Sequence, residues 1–95
     1  DEGALRELLA AVRDVRVPGG PPVFLKVAPD LGEDEPQQIV RAALDHGIDA
    51  LIVSNTTVSR PPLRSAHAGE GGGLSGAPLK PLALDALRRF RRASD

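Results

Sequence analysis

Ala50-Leu51-Ile52-Val53-Ser54-Asn55-Thr56-Thr57 decides how the rest of the chain is read. Its first half is apolar and rich in β-branched residues, and its second half is four small polar residues in succession. A buried parallel strand that ends in a ligand site has this form: the apolar run lies in the sheet and the polar run emerges at its carboxyl end. In α/β folds the carboxyl ends of strands are where ligands bind.

Working outward, a second apolar run precedes this one. Val23-Phe24-Leu25-Lys26-Val27-Ala28 reads as a strand that Pro29-Asp30-Leu31-Gly32 stops. Between the two runs, Glu33-Asp34-Glu35-Pro36 reads as a helix start, with acidic groups at the positive end of the dipole and proline in the first turn. Ile39, Val40, Ala43 and Leu44 supply that helix with an apolar stripe. His46 suits its C-terminal end, and Gly47 suits the position after it. Upstream, Leu5, Leu8, Leu9, Val12 and Val15 follow helical spacing and predict a helix over 4–16, ended by Pro18-Gly19-Gly20-Pro21-Pro22. Downstream lies a long irregular stretch, 58–78, and then a helix beginning near Pro81, with Leu84, Leu87 and Phe90 three apart on one side.

The order is therefore helix, strand, helix, strand, loop, helix. Both strands read as fully buried and parallel, joined by one crossover. The fold class is α/β. Two strands do not make a stable parallel sheet, so the expectation is a slice of a larger protein, a fragment of a (β/α)8 TIM barrel comprising two parallel strands with flanking helices. The absence of an initial Met points the same way.

Composition narrows the function. The 95 residues carry a net charge of −1, which gives no support for nucleic-acid binding. Cysteine is absent, which excludes disulfides and thiolate metal sites. His46 and His67 lack partners at ligand spacing, so no metal site is expected. No apolar run approaches the roughly 20 residues of a membrane span.

Three features could carry chemistry. Lys26 interrupts an apolar strand, where period two sets Phe24, Lys26 and Ala28 on one face. Either it points into a barrel toward an anion or an electron-rich ring, or it snorkels to a sheet edge. Ser54-Asn55-Thr56-Thr57 offers hydroxyls and an amide suited to a planar ligand with imide groups; the same residues also bond their own backbone where strands end. Gly71-Gly72-Gly73-Leu74-Ser75-Gly76 could bring backbone N–H groups to a phosphate or cofactor edge, or hinge a lid. It matches neither the dinucleotide fingerprint nor the P-loop. Arg88, Arg89, Arg91 and Arg92 read as a solvated helix face, with binding of an acidic partner the alternative.

Taken together, Leu25-Lys26-Val27-Ala28-Pro29-Asp30-Leu31, Ser54-Asn55-Thr56-Thr57-Val58-Ser59-Arg60-Pro61 and Gly72-Gly73-Leu74-Ser75-Gly76, with the Leu5-Arg6-Glu7-Leu8-Leu9 helix before them, resemble the quinone-dependent (class 2) dihydroorotate dehydrogenases. The resemblance spans nearly the whole chain, with four motifs in order. It implies that residues 1–95 are part of an FMN-binding (β/α)8 barrel. It implies oxidation of dihydroorotate to orotate in pyrimidine biosynthesis, with electrons passing through FMN to a quinone. By position, Lys26, Ser54 and Gly76 would contact FMN. Ser54 stands where the family often has Thr and keeps the hydroxyl. Asn55 and Thr56 would hold the substrate. The family's catalytic serine base would precede residue 1, so no residue here is assigned as catalytic. The quinone-binding and membrane-contacting segment would also lie outside the chain. The parent is expected to be peripheral on the inner membrane, either the bacterial cytoplasmic membrane or the mitochondrial inner membrane. The alternatives are a soluble-class dihydroorotate dehydrogenase and a non-flavin phosphate-binding barrel in which Lys26 forms a Schiff base.

Overall fold

The computed structural model describes residues 1–94. Helix α1 (Glu2–Val15) leads to strand β1 (Phe24–Val27), helix α2 (Glu35–Asp45), strand β2 (Ala50–Val53), a long loop with a 3-10 turn (Ala77–Leu79), and helix α3 (Lys80–Ser94). The strands pair in parallel, with Phe24 opposite Ala50, Lys26 opposite Ile52 and Val27 opposite Val53. The crossover is α2, as the pattern of the two apolar runs requires.

Helix α1 starts two residues earlier than its apolar spacing suggests. The cause is Asp1, whose Oδ1 accepts from the backbone N–H of Gly3 at 2.8 Å and so caps the helix. Helix α2 starts at Glu35. The Glu35 carboxylate accepts from the Gly32 N–H at 2.7 Å, and buried Pro36 occupies the first turn. At its other end His46 caps the helix and donates from Nδ1 to the Ala42 carbonyl at 2.7 Å.

The core lies on one face of the strands. Val27, Val40 and Phe90 form its centre, with Leu25, Ile39, Leu51 and Val53 packed around them. Only this face is covered, so the strands are half-buried rather than fully buried as expected. Phe24, Lys26, Ala50 and Ile52 are exposed on alternate positions, Phe24 by 55%. Period two explains the split: one face meets α2 and α3, and no described element lies over the other.

Several stripe residues also fall elsewhere. On α3 the buried positions are Ala86 and Phe90, while Leu84 and Leu87 are exposed. A spacing of three drifts backward around a 3.6-residue turn, so Leu84 and Leu87 leave the face that Phe90 shares with Ala86 and Ala93. Leu44 on α2 is exposed, and Ala42 beside it is fully buried. On α1 only Leu9 is buried, and Leu8 and Val15 are exposed. Polar ties supplement this thin packing. Arg6 of α1 donates to Asp45 of α2 at 2.9 Å, and Arg16 bonds both Asp49 and the Gly47 carbonyl. Asp49 also accepts from the Val23 N–H at 2.8 Å, which fixes the entry to β1.

Candidate functional site

The sheet continues one step past its strands. The Asn55 N–H donates to the Val27 carbonyl at 2.7 Å, so the Ser54–Thr57 run stands beside the carboxyl end of the strand that carries Lys26. The Val53–Ser54 peptide bond between strand and run is cis. Lys26 is exposed and lies on the face that the helices leave open. Asn55 is exposed, and Ser54 and Thr56 are half-buried.

The polar run makes the local bonds expected where a strand ends. Ser54 Oγ donates to the Asn55 carbonyl at 3.1 Å, and Asn55 Oδ1 accepts from the Thr56 N–H at 2.8 Å, which is turn chemistry. The Asn55 side-chain NH2 has no protein partner among the described residues and remains a donor for another molecule.

The glycine loop returns to this run. Thr57 and Leu74 exchange both backbone hydrogen bonds, at 3.1 and 2.8 Å. One residue earlier on each side, Gly73 lies against Thr56 so closely that a Cβ on Gly73 would stand 2.0 Å from Thr56 Oγ1. Glycine is required there by the close approach. Gly76 has φ +78°, the left-handed region, as the loop turns into the 3-10 helix. Bridge and contact thus bring the glycine loop to the polar run and leave Gly76 two residues beyond the pairing.

Sequence reasoning missed the groups that hold this arrangement. Asp30, read as a strand stop and part of a family motif but given no site role, accepts from Thr57 Oγ1, from the Val58 N–H at 3.0 Å and from Ser59 Oγ at 2.9 Å. The Thr57 hydroxyl foremost, then the Val58 and Ser59 donors, hold the Asp30 carboxyl below the usual carboxylate range despite an opposing desolvation effect. Thr57 itself is fully buried. Arg60 donates to the carbonyls of Ser59 at 3.0 Å, Glu70 at 3.0 Å and Gly72 at 2.6 Å, and so clasps the loop. An acidic residue at the carboxyl end of a strand was the available signal for Asp30. Arg60 gave none, because its partners are backbone carbonyls. Among the four arginines near the end of the chain, Arg89 is not merely solvated; it donates to the carbonyls of Leu31, at 3.2 Å, and Gly32.

Parallel strands alternating with helices, with polar groups gathered at the strands' carboxyl ends, define a segment of a (β/α)8 barrel. The family model for dihydroorotate dehydrogenase matches residues 1–95, and the chain belongs to that family. Dihydroorotate dehydrogenase (quinone) of Erythrobacter litoralis is 61% identical over 94 residues, covering 99% of this chain and 27% of the relative. The protein of the same name from Novosphingobium aromaticivorans is 60% identical with the same coverage. The crystal structure of ligand-free DHODH from Eimeria tenella superposes with a TM-score of 0.85 at 33% identity, covering 99% of this chain and 31% of that one. A second structure from that organism, in complex with ferulenol, gives 0.74 at 44% identity over 78% of this chain and 20% of that one. The chain spans about a quarter of the length of the curated relatives it matches. No helix among the described residues is long and apolar enough to cross a membrane.

Proposed function

We propose that this chain forms one wall of the flavin and substrate site of a quinone-dependent dihydroorotate dehydrogenase, which oxidises dihydroorotate to orotate in pyrimidine biosynthesis. The observation that carries this reading is the Asn55 N–H to Val27 carbonyl bond, which sets the polar run next to the end of the Lys26 strand. The relatives' shared name supports the reaction.

The residues fit a flavin: Lys26 stands clear of the helices, a hydroxyl and a free amide NH2 lie at the neighbouring strand end, and Gly76 adds a bare backbone segment. Lys26, Ser54 and Gly76 would hold FMN, which would supply a hydride acceptor at this wall. Lys26 offers positive charge beside the ring, which favours electron density gathering there. Ser54 offers a hydroxyl to the cofactor edge, and Gly76 lets backbone approach it. Asn55 donates a hydrogen bond from its NH2 to the substrate, and Thr56 adds a hydroxyl. The base that takes the substrate's proton is supplied from outside these residues, so the segment binds and orients without catalysing. Residues 1–95 are thus part of an FMN-binding barrel domain. Quinone reaches the flavin through other parts of the protein, which also make the peripheral contact with the bacterial inner or mitochondrial inner membrane.

The test uses the intact parent protein. It is expected to purify yellow. Lys26→Ala is expected to lose flavin or slow its reduction, whereas Asn55→Ala keeps the flavin and raises KM for dihydroorotate. A colourless parent, or a Lys26→Ala variant that binds and reduces flavin as the parent does, contradicts the reading. A reduced adduct trapped by borohydride on Lys26 would point instead to Schiff-base chemistry.

A further inference from the structure

We propose that Asp30 is a positioning residue for the substrate, acting through Thr57 to fix the Asn55–Thr56 edge; this rests on the reading that Asn55 and Thr56 bind dihydroorotate. Asp30 leaves the end of β1 and takes donors from three successive residues, 57, 58 and 59. Thr57 is the one fully buried polar side chain among the described residues, and its backbone is already committed in both directions to Leu74. The three residues 55–57 are therefore pinned in turn. Asn55 is held through its N–H to Val27, Thr56 by contact with Gly73, and Thr57 by Asp30 and Leu74. The Asn55 NH2 alone is left over, and its aim depends on the fixed backbone on either side.

Only a carboxylate meets this demand. Two hydroxyl donors and one N–H converge on its two oxygens. An asparagine presents one oxygen and an NH2: with the oxygen on the hydroxyls, the Val58 N–H faces a donor, and turned the other way, the Thr57 hydroxyl, which already accepts from the Ser59 N–H at 3.0 Å, loses the acceptor for its own proton. A buried donor left without its acceptor destabilises the arrangement by the full cost of its desolvation. Asp30 also belongs to the turn after the Lys26 strand, so a single carboxylate couples the flavin-side strand to the substrate-side run. Neither Asp30 nor Thr57 needs to touch the substrate for this role.

The experiment uses the full-length parent with FMN bound, and reads KM for dihydroorotate alongside flavin content. Asp30→Asn is expected to raise KM on the order of tenfold, the loss of one hydrogen bond to a charged group, with flavin content retained. Thr57→Val, nearly isosteric but without the hydroxyl, is expected to do the same, and Thr57→Ser, which keeps the hydroxyl, to recover most of the loss. A packing role for Thr57 gives the reverse order, with valine benign and serine impaired, and that order overturns the proposal. An unchanged KM in Asp30→Asn also overturns it. Should Asp30→Asn fail to fold, the Thr57 pair decides. If Asn55→Ala raises KM while Asp30→Asn does not, this inference alone falls. If Asn55→Ala leaves KM unchanged, or the parent does not oxidise dihydroorotate, the binding reading falls and the inference with it.

Discussion

Gly73→Ala is the substitution whose effect can be worked most directly from the structure. A Cβ at Gly73 stands 2.0 Å from Thr56 Oγ1 and 2.7 Å from Thr56 Cβ. Ordinary contact begins at 3.4 Å, so the Thr56 hydroxyl must retreat by about 1.4 Å (3.4 less 2.0). Thr56 Cβ, at 2.7 Å, is itself too close, so rotating the side chain does not clear the clash and backbone must move. The Thr57–Leu74 bridge, one residue further along both segments, resists that movement. Overpacking of this kind costs about 1–3 kcal/mol. If Thr56 orients substrate, most of that cost appears in binding, and KM for dihydroorotate in the intact parent rises on the order of tenfold. Gly71→Ala is the control, since nothing lies within 4 Å of its added methyl group. Steady-state kinetics on both variants, with flavin content measured alongside, make the comparison. Equal KM values for Gly73→Ala and Gly71→Ala would refute the placement of Thr56 against the glycine loop at the substrate site.

Other outcomes follow from the same structure. Phe90 is 3% exposed and sits between Val27 and Val40, so Phe90→Ala should destabilise the barrel by about 3–5 kcal/mol, seen as a lower denaturation midpoint; exposed Glu7→Ala should shift stability by less than ~0.5 kcal/mol. Asp30 has a carboxyl held below its ordinary value, so the support it gives is complete above that value and is lost as pH falls through the lower, folded one. Orotate affinity should therefore be insensitive to Asp30 across neutrality and begin to fall only below about pH 4. That acid limb should be weakened in Asp30→Asn, and an unaltered limb would count against the role of the charge.

The strand order, the crossover helix and the position of the polar run were legible because each depends on local pattern. Apolar runs of strand length and a helical stripe between them leave little freedom in topology. Burial was less legible. The alternation of Phe24 and Lys26 with Leu25 and Val27 was visible, but which face is covered depends on where α2 and α3 land. On α3, leucine content drew attention to Leu84 and Leu87, whereas small Ala86 holds a buried position one turn before Phe90. At the site, the residues with ligand-like chemistry stood out, and those that hold them did not. Asp30 works across 27 residues of sequence to Thr57, and Arg60 works on the carbonyls of Glu70 and Gly72. Long-range hydrogen bonds to hydroxyls and backbone leave no periodic trace in a single sequence.

The most direct measurement is anaerobic titration of the purified, full-length parent with dihydroorotate while the visible flavin absorption is followed. The expected result is stoichiometric bleaching of the flavin band by dihydroorotate, lost in Lys26→Ala through absent or unreduced flavin, and shifted to higher substrate concentration in Asn55→Ala. A parent that carries flavin but is not bleached by dihydroorotate, or one whose bleaching is indifferent to both substitutions, would contradict the assignment of this strand pair as the wall between cofactor and substrate.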